Sequence, residues 1–203
     1  VGQVQIKDDI GLSFSAALRS FLRQDPEIIL VGEIRDQETG NIAVEAALTG
    51  HLVLSTLHTN DSVNTITRLV NMGIPNYLVS SSVSLVIAQR LARKNCDSCK
   101  VKDTSVKAQT LEQIGIKKKF VLYKGKGCAK CNNTGYKGRR GIYEVLKITP
   151  TIQDAILKNK TAPEIMEIAK KEGYQPMQEV GAQYLKEGVL AFEEFQRTLF
   201  VGW

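Results

Sequence analysis

The sequence predicts an α/β protein with a parallel sheet, followed by a small cysteine-rich segment and a helical tail. Two short apolar stretches, IILV at 28–31 and LVLST at 52–56, flank a segment with helical periodicity. That order is typical of two parallel strands joined by a crossover helix. Four cysteines form two C-x-x-C pairs, and helical patterns continue beyond Pro150. Together these observations predict the fold class.

The first four elements follow from apolar spacing and from the residues that end helices. GLSFSAALRSFLRQ has apolar residues at helical spacing, and Pro26 ends this helix. IILV is short, branched and uncharged, so we expect a strand that is buried on both faces. A helix from about Glu38 to Leu48 is closed by Gly50, and LVLST forms the second strand.

Two more helices are expected before the first cysteine. One spans about Ser62 to Met72 and ends at Gly73, and the other opens at Pro75 and runs to about Ala92. Both predictions rest on apolar periodicity and on residues that begin or end helices.

The remaining elements are assigned from weaker patterns. Residues 101–125 are rich in lysine and show little periodicity, so we expect loops and short strands there. RRGIYEVLKI predicts a strand that returns to the α/β body. Beyond Pro150 the chain is expected to be helical, and Thr161 with Glu164 forms a capping box.

Charge divides the chain as well. The whole chain carries a formal charge of +6, but Lys and Arg exceed Asp and Glu only in residues 91–140, by 14 to 3. The segment before it has 6 basic and 9 acidic residues, and the segment after it has 7 and 9. Because the basic segment also holds all four cysteines, it predicts a separate module. The predicted parts are residues 1–94, 95–141 and 142–203.

Composition limits the class of protein. The chain is 43% apolar and 24% charged, and its apolar runs are too short to span a bilayer. The start, VGQVQIKDD, lacks the features of a secretory signal, so the cytoplasm is the expected compartment. It opens in mid-pattern without methionine, which indicates a piece of something longer.

Polar side chains that suit nucleotide chemistry follow the two predicted strands. Glu33 comes just after IILV and His58 just after LVLST, and the carboxyl ends of parallel strands meet at one edge of a sheet. His51, the other histidine, begins the second strand. A carboxylate beside an imidazole suits hydrolysis, because the glutamate can orient or deprotonate water. Taken singly, a solvated carboxylate and structural histidines are the more ordinary interpretations.

The cysteines have the spacing of a metal site. CDSC and CAKC each place two thiols on one turn, and 28 residues separate them. Two such turns complete the tetrahedral sulfur shell that Zn²⁺ favours, and a closed shell of this kind is structural. Two disulfides, four free thiols or a thioredoxin-like redox pair are the alternatives. The ligands are expected to be Cys96, Cys99, Cys128 and Cys131.

Several motifs together resemble one family. ILVGEIRD, TGH, LVLSTLHTND, TITRLVNMGIP, AQRLARKNCDSCK and GCAKCNNTGYKGRRGIYEVL are similar to segments of the secretion ATPases that drive type II secretion and type IV pilus assembly. The resemblance implies a RecA-like P-loop ATPase core with a four-cysteine zinc module and a C-terminal helical subdomain. It also implies that Glu33 is the Walker B catalytic or water-orienting residue, and that His51 and His58 lie near the nucleotide.

The same resemblance implies ligands, partners and a compartment. It suggests ATP and Mg²⁺, a hexameric ring, and docking to the inner-membrane platform protein from the cytoplasm, with only peripheral membrane association. Gly32 stands where many P-loop enzymes have aspartate, so the Mg²⁺ contact is unassigned. No G-x-x-x-x-G-K-[ST] occurs in these 203 residues. We therefore expect a truncated core that lacks the Walker A loop and is inactive alone.

A different class of function remains open from the residues. Clustered lysines and arginines around paired C-x-x-C turns also suit a nucleic-acid-binding zinc module on a non-catalytic α/β domain. Against this, Phe120, Tyr123 and Tyr136 are the only aromatic residues of the basic segment, which is few for base stacking. A pure scaffold is the third alternative.

Overall fold

The computed structural model describes residues 4–24, 26–113, 116 and 120–200. Its regular elements alternate between helices and short strands. In chain order they are α1 (Phe14–Leu22), β1 (Ile28–Val31), α2 (Gln37–Leu48), β2 (Leu52–Ser55), α3 (Ser62–Asn71), α4 (Asn76–Ser82), β3 (Leu85–Asn95), β4 (Lys100–Asp103), α5 (Ala108–Gln113), β5 (Leu122–Gly125), β6 (Tyr136–Lys147), α6 (Pro150–Leu157), α7 (Ala162–Lys171), α8 (Met177–Lys186) and α9 (Phe192–Leu199).

Contacts divide the chain into two compact units. Unit 1 comprises Val1–Val86 and Val145–Tyr174, and unit 2 comprises Ile87–Glu144 and Gln175–Trp203. The chain leaves unit 1 within β3 and returns to it within β6. The boundaries drawn from the sequence at residues 94 and 141 therefore fall inside strands rather than in linkers.

The first sheet of unit 1 has the predicted parallel order. β1 pairs with β2 from Ile28 opposite Leu52 to Val31 opposite Ser55. Helices α1 and α2 cover one face of this pair with a small apolar cluster. The parallel strands and the helix that connects them are therefore confirmed.

The expectation that IILV is buried on both faces is wrong for the described residues. Ile29 and Val31 are buried beneath the helices, whereas Ile28 and Leu30 are 62% and 74% exposed. Leu52 and Leu54 are exposed in the same way on β2. Side chains alternate between the two faces of a strand, and the described residues cover only one face.

The second core of unit 1 lies among four helices. Side chains of α3, α4, α6 and α7 pack together, and the Ser62 hydroxyl lies 2.9 Å from the Tyr174 hydroxyl in the buried region. Asp61 caps α3 by accepting the N–H of Asn64 at 2.7 Å. The predicted capping box at Thr161 and Glu164 is present at the start of α7. The helical prediction for this part of the tail is confirmed.

The helix predicted from Pro75 to about Ala92 is wrong beyond its first two turns. Helix α4 ends at Ser82, and the chain then runs as the long strand β3. From Leu85 the side chains alternate, with Ile87 exposed and Ala92 fully buried. The segment has the period-two alternation of a strand. Its apolar residues also fit a helical repeat, because short apolar segments satisfy both patterns.

Unit 2 is organised around β3 and β6. The amide of Ile148 donates to the Ser84 carbonyl, and the amide of Cys96 donates to the Gly135 carbonyl, so the two strands run antiparallel. β4 and β5 form a separate antiparallel hairpin. The core of unit 2 contains buried side chains from β3, β5, β6, α8 and α9.

A buried carboxylate holds α9 against β3. Glu194 is fully buried, and it accepts hydrogen bonds from the backbone amide and guanidinium of Arg93 and from Arg197, at 2.6 to 3.0 Å. Burial alone raises the pKa of Glu194, but the hydrogen bonds from Arg197 and Arg93 outweigh it and hold that pKa at about 2. The carboxylate is therefore ionised and fully hydrogen-bonded at neutral pH.

Among the residues that the structure describes, every helix is too short or too polar to cross a lipid bilayer.

We expect the hydrogen bonds around Glu194 to make the free energy of unfolding depend on pH in the acidic range. Its pKa falls from an ordinary 4.5 to about 2 on folding, so the stabilisation is complete above about pH 4.5 and is lost as pH falls towards 2. The loss amounts to about 3 kcal/mol across that window. Urea unfolding followed by circular dichroism at several pH values measures it.

In Glu194→Gln this acid dependence should flatten, and stability at pH 7 should be lower. The exposed neighbour Glu193 supplies the matched control, because Glu193→Gln should retain the wild-type pH profile. An acid limb that is identical in Glu194→Gln and the wild type would contradict the assignment.

Candidate functional site

Pairing of β1 and β2 continues past their ends and brings Glu33 to His58. The Thr56 hydroxyl donates to the Gly32 carbonyl at 2.7 Å, and the Ile34 amide donates to the Thr56 carbonyl at 3.0 Å. These bonds keep the two segments extended side by side. His58 Nε2 therefore lies 3.1 Å from Glu33 Oε2. The predicted proximity of these two side chains is observed.

Two basic side chains contact the same carboxylate oxygen of Glu33. Arg35 Nε lies 2.6 Å from Oε2, and His58 Nε2 contacts that oxygen too. The hydrogen bond from Arg35 is the main cause of a lowered Glu33 pKa, and His58 also lowers it. Glu33 is therefore ionised at neutral pH. Its Oε1 accepts no hydrogen bond from the described part of the chain.

Arg35 is the residue that sequence reasoning did not place in the site. The spacing of Glu33 and Arg35 indicates this contact, because side chains two residues apart on an extended chain point to the same side. Glu33 and Arg35 are two residues apart just after β1, and their side chains meet. The motif GEIRD thus encodes a carboxylate with its own guanidinium partner.

The structure does not bring His51 to this pair. His51 lies before β2, about six residues along the strand direction from the level of Glu33, or roughly 20 Å for an extended chain. Its Nδ1 lies 2.9 Å from the Ala46 carbonyl and 3.2 Å from the Thr49 hydroxyl, at the end of α2. These contacts satisfy a terminal helix carbonyl. A nucleotide contact for His51 stays a prediction.

The four cysteines converge on one point. The Sγ atoms of Cys96, Cys99, Cys128 and Cys131 all lie within 4.8 Å of one another, and all four thiols are free. The Sγ atoms of Cys96 and Cys128 are 3.9 Å apart, and those of Cys128 and Cys131 are 3.7 Å apart. Sulfurs 2.3 Å from a tetrahedral zinc would be about 3.8 Å apart. The donor set therefore fits a zinc ion.

The hairpin of β4 and β5 explains how distant cysteines meet. Lys100 is paired with Gly125, so the first cysteine turn and the start of the second lie at the same end of the hairpin. The amide of Lys126 donates to the Cys99 carbonyl at 3.1 Å and fixes that end. The described residues between the C-x-x-C pairs thus form a folded connection.

Glycines allow the backbone to cross closely beside the sulfur cluster. A Cβ added to Gly125 would lie 2.0 Å from the carbonyl oxygen of Gly135, and Gly135 itself has a φ of 77°. Only glycine avoids both the clash and the strain of a left-handed conformation. This crossing holds the two cysteine turns together where few apolar side chains are available.

Backbone amides favour a thiolate at Cys131. The amides of Cys128 and Gly135 donate to its Sγ at 3.2 and 3.3 Å. Burial raises the pKa of this thiol, but those amides outweigh it and bring the pKa to about 6. Burial raises the pKa of Cys99 to about 11. Of these two thiols, Cys131 loses its proton at the lower pH.

Comparison with known sequences identifies relatives along nearly the whole chain. The family described as "Type II/IV secretion system protein" matches residues 1–197. The type IV pilus assembly ATPase PilB of Pseudomonas aeruginosa is 49% identical over 202 residues, or 98% of this chain and 35% of that protein. The type II secretion system ATPase E of Vibrio cholerae is 41% identical, over 98% of this chain and 39% of its own. This chain spans just over a third of their length.

Solved structures share the fold. The pilus retraction motor PilT, determined with bound ADP, is 28% identical with a TM-score of 0.63, over 91% of this chain and 43% of that one. The ATPase DotB of Legionella pneumophila is 23% identical with a TM-score of 0.61, over 91% of this chain and 42% of that one. The α/β ATPase fold is therefore shown.

The sulfur geometry predicts one zinc per chain. Replacing Cys99 by serine should reduce bound zinc below one equivalent and loosen unit 2, because three thiolates do not complete the shell. Ser105→Ala, on an exposed loop of the same unit, is the control and should retain zinc. Elemental analysis of the purified chains measures the outcome. Full zinc content in Cys99→Ser would contradict the site.

Proposed function

Because the chain belongs to the type II/IV secretion system protein family, we propose that it forms part of an ATPase motor subunit for type IV pilus assembly or type II secretion. The proposed core is RecA-like. The observation that carries the proposal is the contact between Glu33 and His58 at the carboxyl ends of two parallel strands. Relatives named as pilus assembly and secretion ATPases support the choice of machine.

Glu33 is proposed to act on the attacking water. Arg35 and His58 hold Oε2, so Oε1 is the atom left to accept a hydrogen bond from water. The lowered pKa keeps the carboxylate ionised but makes it a weak proton acceptor. Orientation of water is therefore its main task, with the proton passing on as phosphate oxygens develop charge.

His58 is proposed to connect the nucleotide to Glu33. An ionised carboxylate only accepts hydrogen bonds, so the close Nε2 of His58 carries the hydrogen that it donates to Glu33. The Nδ1 side of the ring is then available to a phosphate or to water. Mg²⁺ would neutralise charge on the phosphates, and its protein ligand is not assigned.

The phosphate loop has to come from outside these 203 residues, since the sequence contains no Walker A motif. Backbone amides and a lysine of such a loop provide most of the contacts that bind the β and γ phosphates. The chain alone is therefore proposed to bind ATP weakly and to hydrolyse it negligibly.

The four-cysteine module is proposed to hold a structural zinc. A closed shell of four thiolates leaves no open position for a substrate, so the metal would contribute folding free energy to unit 2. This proposal rests on sulfur separations of 3.7 to 3.9 Å and on the amides that donate to Cys131.

Assembly and compartment are proposed by analogy with the family. We propose a homo-oligomeric, hexameric ring in the cytoplasm, attached peripherally to the inner membrane through its platform protein. The relatives named as type IV pilus assembly and type II secretion ATPases support the analogy.

Nucleic-acid binding is the weaker proposal, although the basic segment favours it. Two of its three aromatic rings already have partners: the Arg93 guanidinium lies 4.2 Å from the centre of the Tyr136 ring, and Gly188 packs against Tyr123. Stacking of bases on these rings would displace internal contacts. Salt-dependent binding to single-stranded DNA distinguishes the two functions.

Replacing Glu33 by glutamine tests the motor directly. The assay uses a protein of the relatives' full length, in which a phosphate loop accompanies residues 1–203. ATP turnover should fall by about 10²- to 10⁴-fold while nucleotide affinity stays largely unchanged, because the amide cannot orient water as the carboxylate does. Steady-state hydrolysis and nucleotide titration measure the two quantities.

Glu38 provides the matched control, since it is an exposed carboxylate on α2 whose ion partner is Arg19. Glu38→Gln should hydrolyse ATP at the wild-type rate. Wild-type turnover in Glu33→Gln would exclude Glu33 as the water-orienting group.

Arg35→Gln should move the acid limb of the pH–rate profile of that full-length protein to higher pH. Arg35 lowers the pKa of Glu33, so without it the carboxylate becomes protonated, and activity is lost, at a higher pH. Arg35→Lys should shift the limb less, because it keeps the positive charge. Carboxyl NMR of Glu33 in the 203-residue chain checks the titration itself. An unchanged titration in Arg35→Gln would contradict the contact.

A further inference from the structure

The end of β3 is hydrogen-bonded to the segment that follows α8. Asn95 is 2% exposed, and its amide N–H donates to the Val189 carbonyl at 2.8 Å. Its side-chain Nδ2 donates to the carbonyls of Gly188 and Tyr123, at 3.1 Å each. One residue thus holds β3, β5 and the turn after α8 together.

The turn fits tightly against β5. Gly188 has a φ of 69°, and a Cβ added to it would lie 2.8 Å from a carbon of the Tyr123 ring. The turn can therefore rest on the ring only with glycine at this position. Two residues before Asn95, Arg93 binds Glu194 of α9, so neighbouring positions of β3 hold the turn and the helix.

The same strand end continues directly into the sulfur cluster. Asn95 precedes Cys96, whose amide donates to the Gly135 carbonyl at 2.9 Å. The Gly135 amide in turn donates to Cys131 Sγ at 3.3 Å. Asn95, which anchors the turn, is thus adjacent to Cys96 in sequence. It is also linked to Cys131 Sγ through two hydrogen bonds, both of which involve Gly135.

We propose that Asn95 couples metal binding at the four cysteines to docking of the turn at 188–190 and of α9 against β3 and β5. The inference rests on the metal site proposed above. It assigns to Asn95 a positioning role, and to the metal a second task, the ordering of C-terminal elements that contribute no cysteine to the cluster.

The physical basis is the small number of bonds that fix the Asn95 side chain. Its Oδ1 is buried without a hydrogen-bond partner in the described chain, so only the two Nδ2 donors orient the amide. An unpaired buried oxygen is unfavourable and persists only while its surroundings are rigid. Release of the metal removes the crosslink beside Cys96 and Cys128, and the strand end that carries Asn95 then gains freedom.

Hydrogen exchange with mass spectrometry on the 203-residue chain tests the coupling. Zinc is counted first, and then removed from the wild type by a chelator. Peptides that cover 188–199 should exchange about tenfold faster after removal, whereas those of α6 and α7 in unit 1 should be unchanged. Returning zinc should restore the protection.

Asn95→Ala should show fast exchange at 188–199 while it still carries one zinc per chain. Asn76→Ala removes an exposed contact to Asn159 in unit 1 and is the matched control, with wild-type exchange at 188–199. Wild-type exchange at 188–199 in a folded Asn95→Ala would overturn the role of Asn95. If Asn95→Ala does not fold, the wild-type comparison still tests whether the metal orders residues 188–199.

The outcomes separate the two proposals. Less than one zinc per chain in the wild type overturns the metal site and the coupling with it. Stoichiometric zinc with unchanged exchange at 188–199 after its removal overturns the coupling alone. Equal loss of protection in α6 and α7 also overturns it, because the metal would then support both units without preference.

Discussion

The pairing of β3 with β6 is the constraint on which most of this structure depends. Two of the chain's three passages between the units lie within these strands, and their ladder sets Cys96 beside Gly135. From one end of β3, Arg93 binds Glu194 and Asn95 binds the turn after α8. A strand at this position thus organises the core of unit 2 and one half of the sulfur cluster.

Two glutamates, Glu33 and Glu194, accept hydrogen bonds from basic side chains with opposite consequences. At Glu33, two exposed basic groups contact one oxygen of a half-buried carboxylate, and the other oxygen stays open. At Glu194, two arginines saturate a carboxylate that is fully buried, which leaves it inert and structural. Burial and the number of donors, rather than residue type, decide which glutamate can take part in chemistry.

Much of the site could be predicted because its elements are local. The run IILV followed by GEIRD, and LVLST followed by His58, place a carboxylate and an imidazole at adjacent strand ends, and the structure agrees. The cysteine cluster could be predicted because a C-x-x-C turn brings two thiols together whatever surrounds it. The error from Pro75 to Ala92 arose where an apolar segment suited both a helix and a strand.

By itself, the sequence determined the family, the parallel pair of strands, the positions of Glu33 and His58, and the four cysteines that cluster, because each rests on spacing within a turn or strand. Only the tertiary structure decided which face of β1 is covered, that His51 lies at the other end of β2, and that Asn95 joins the cysteine turns to the tail. Those facts depend on contacts between residues far apart in the chain or on competition among nearby partners, which local patterns do not encode.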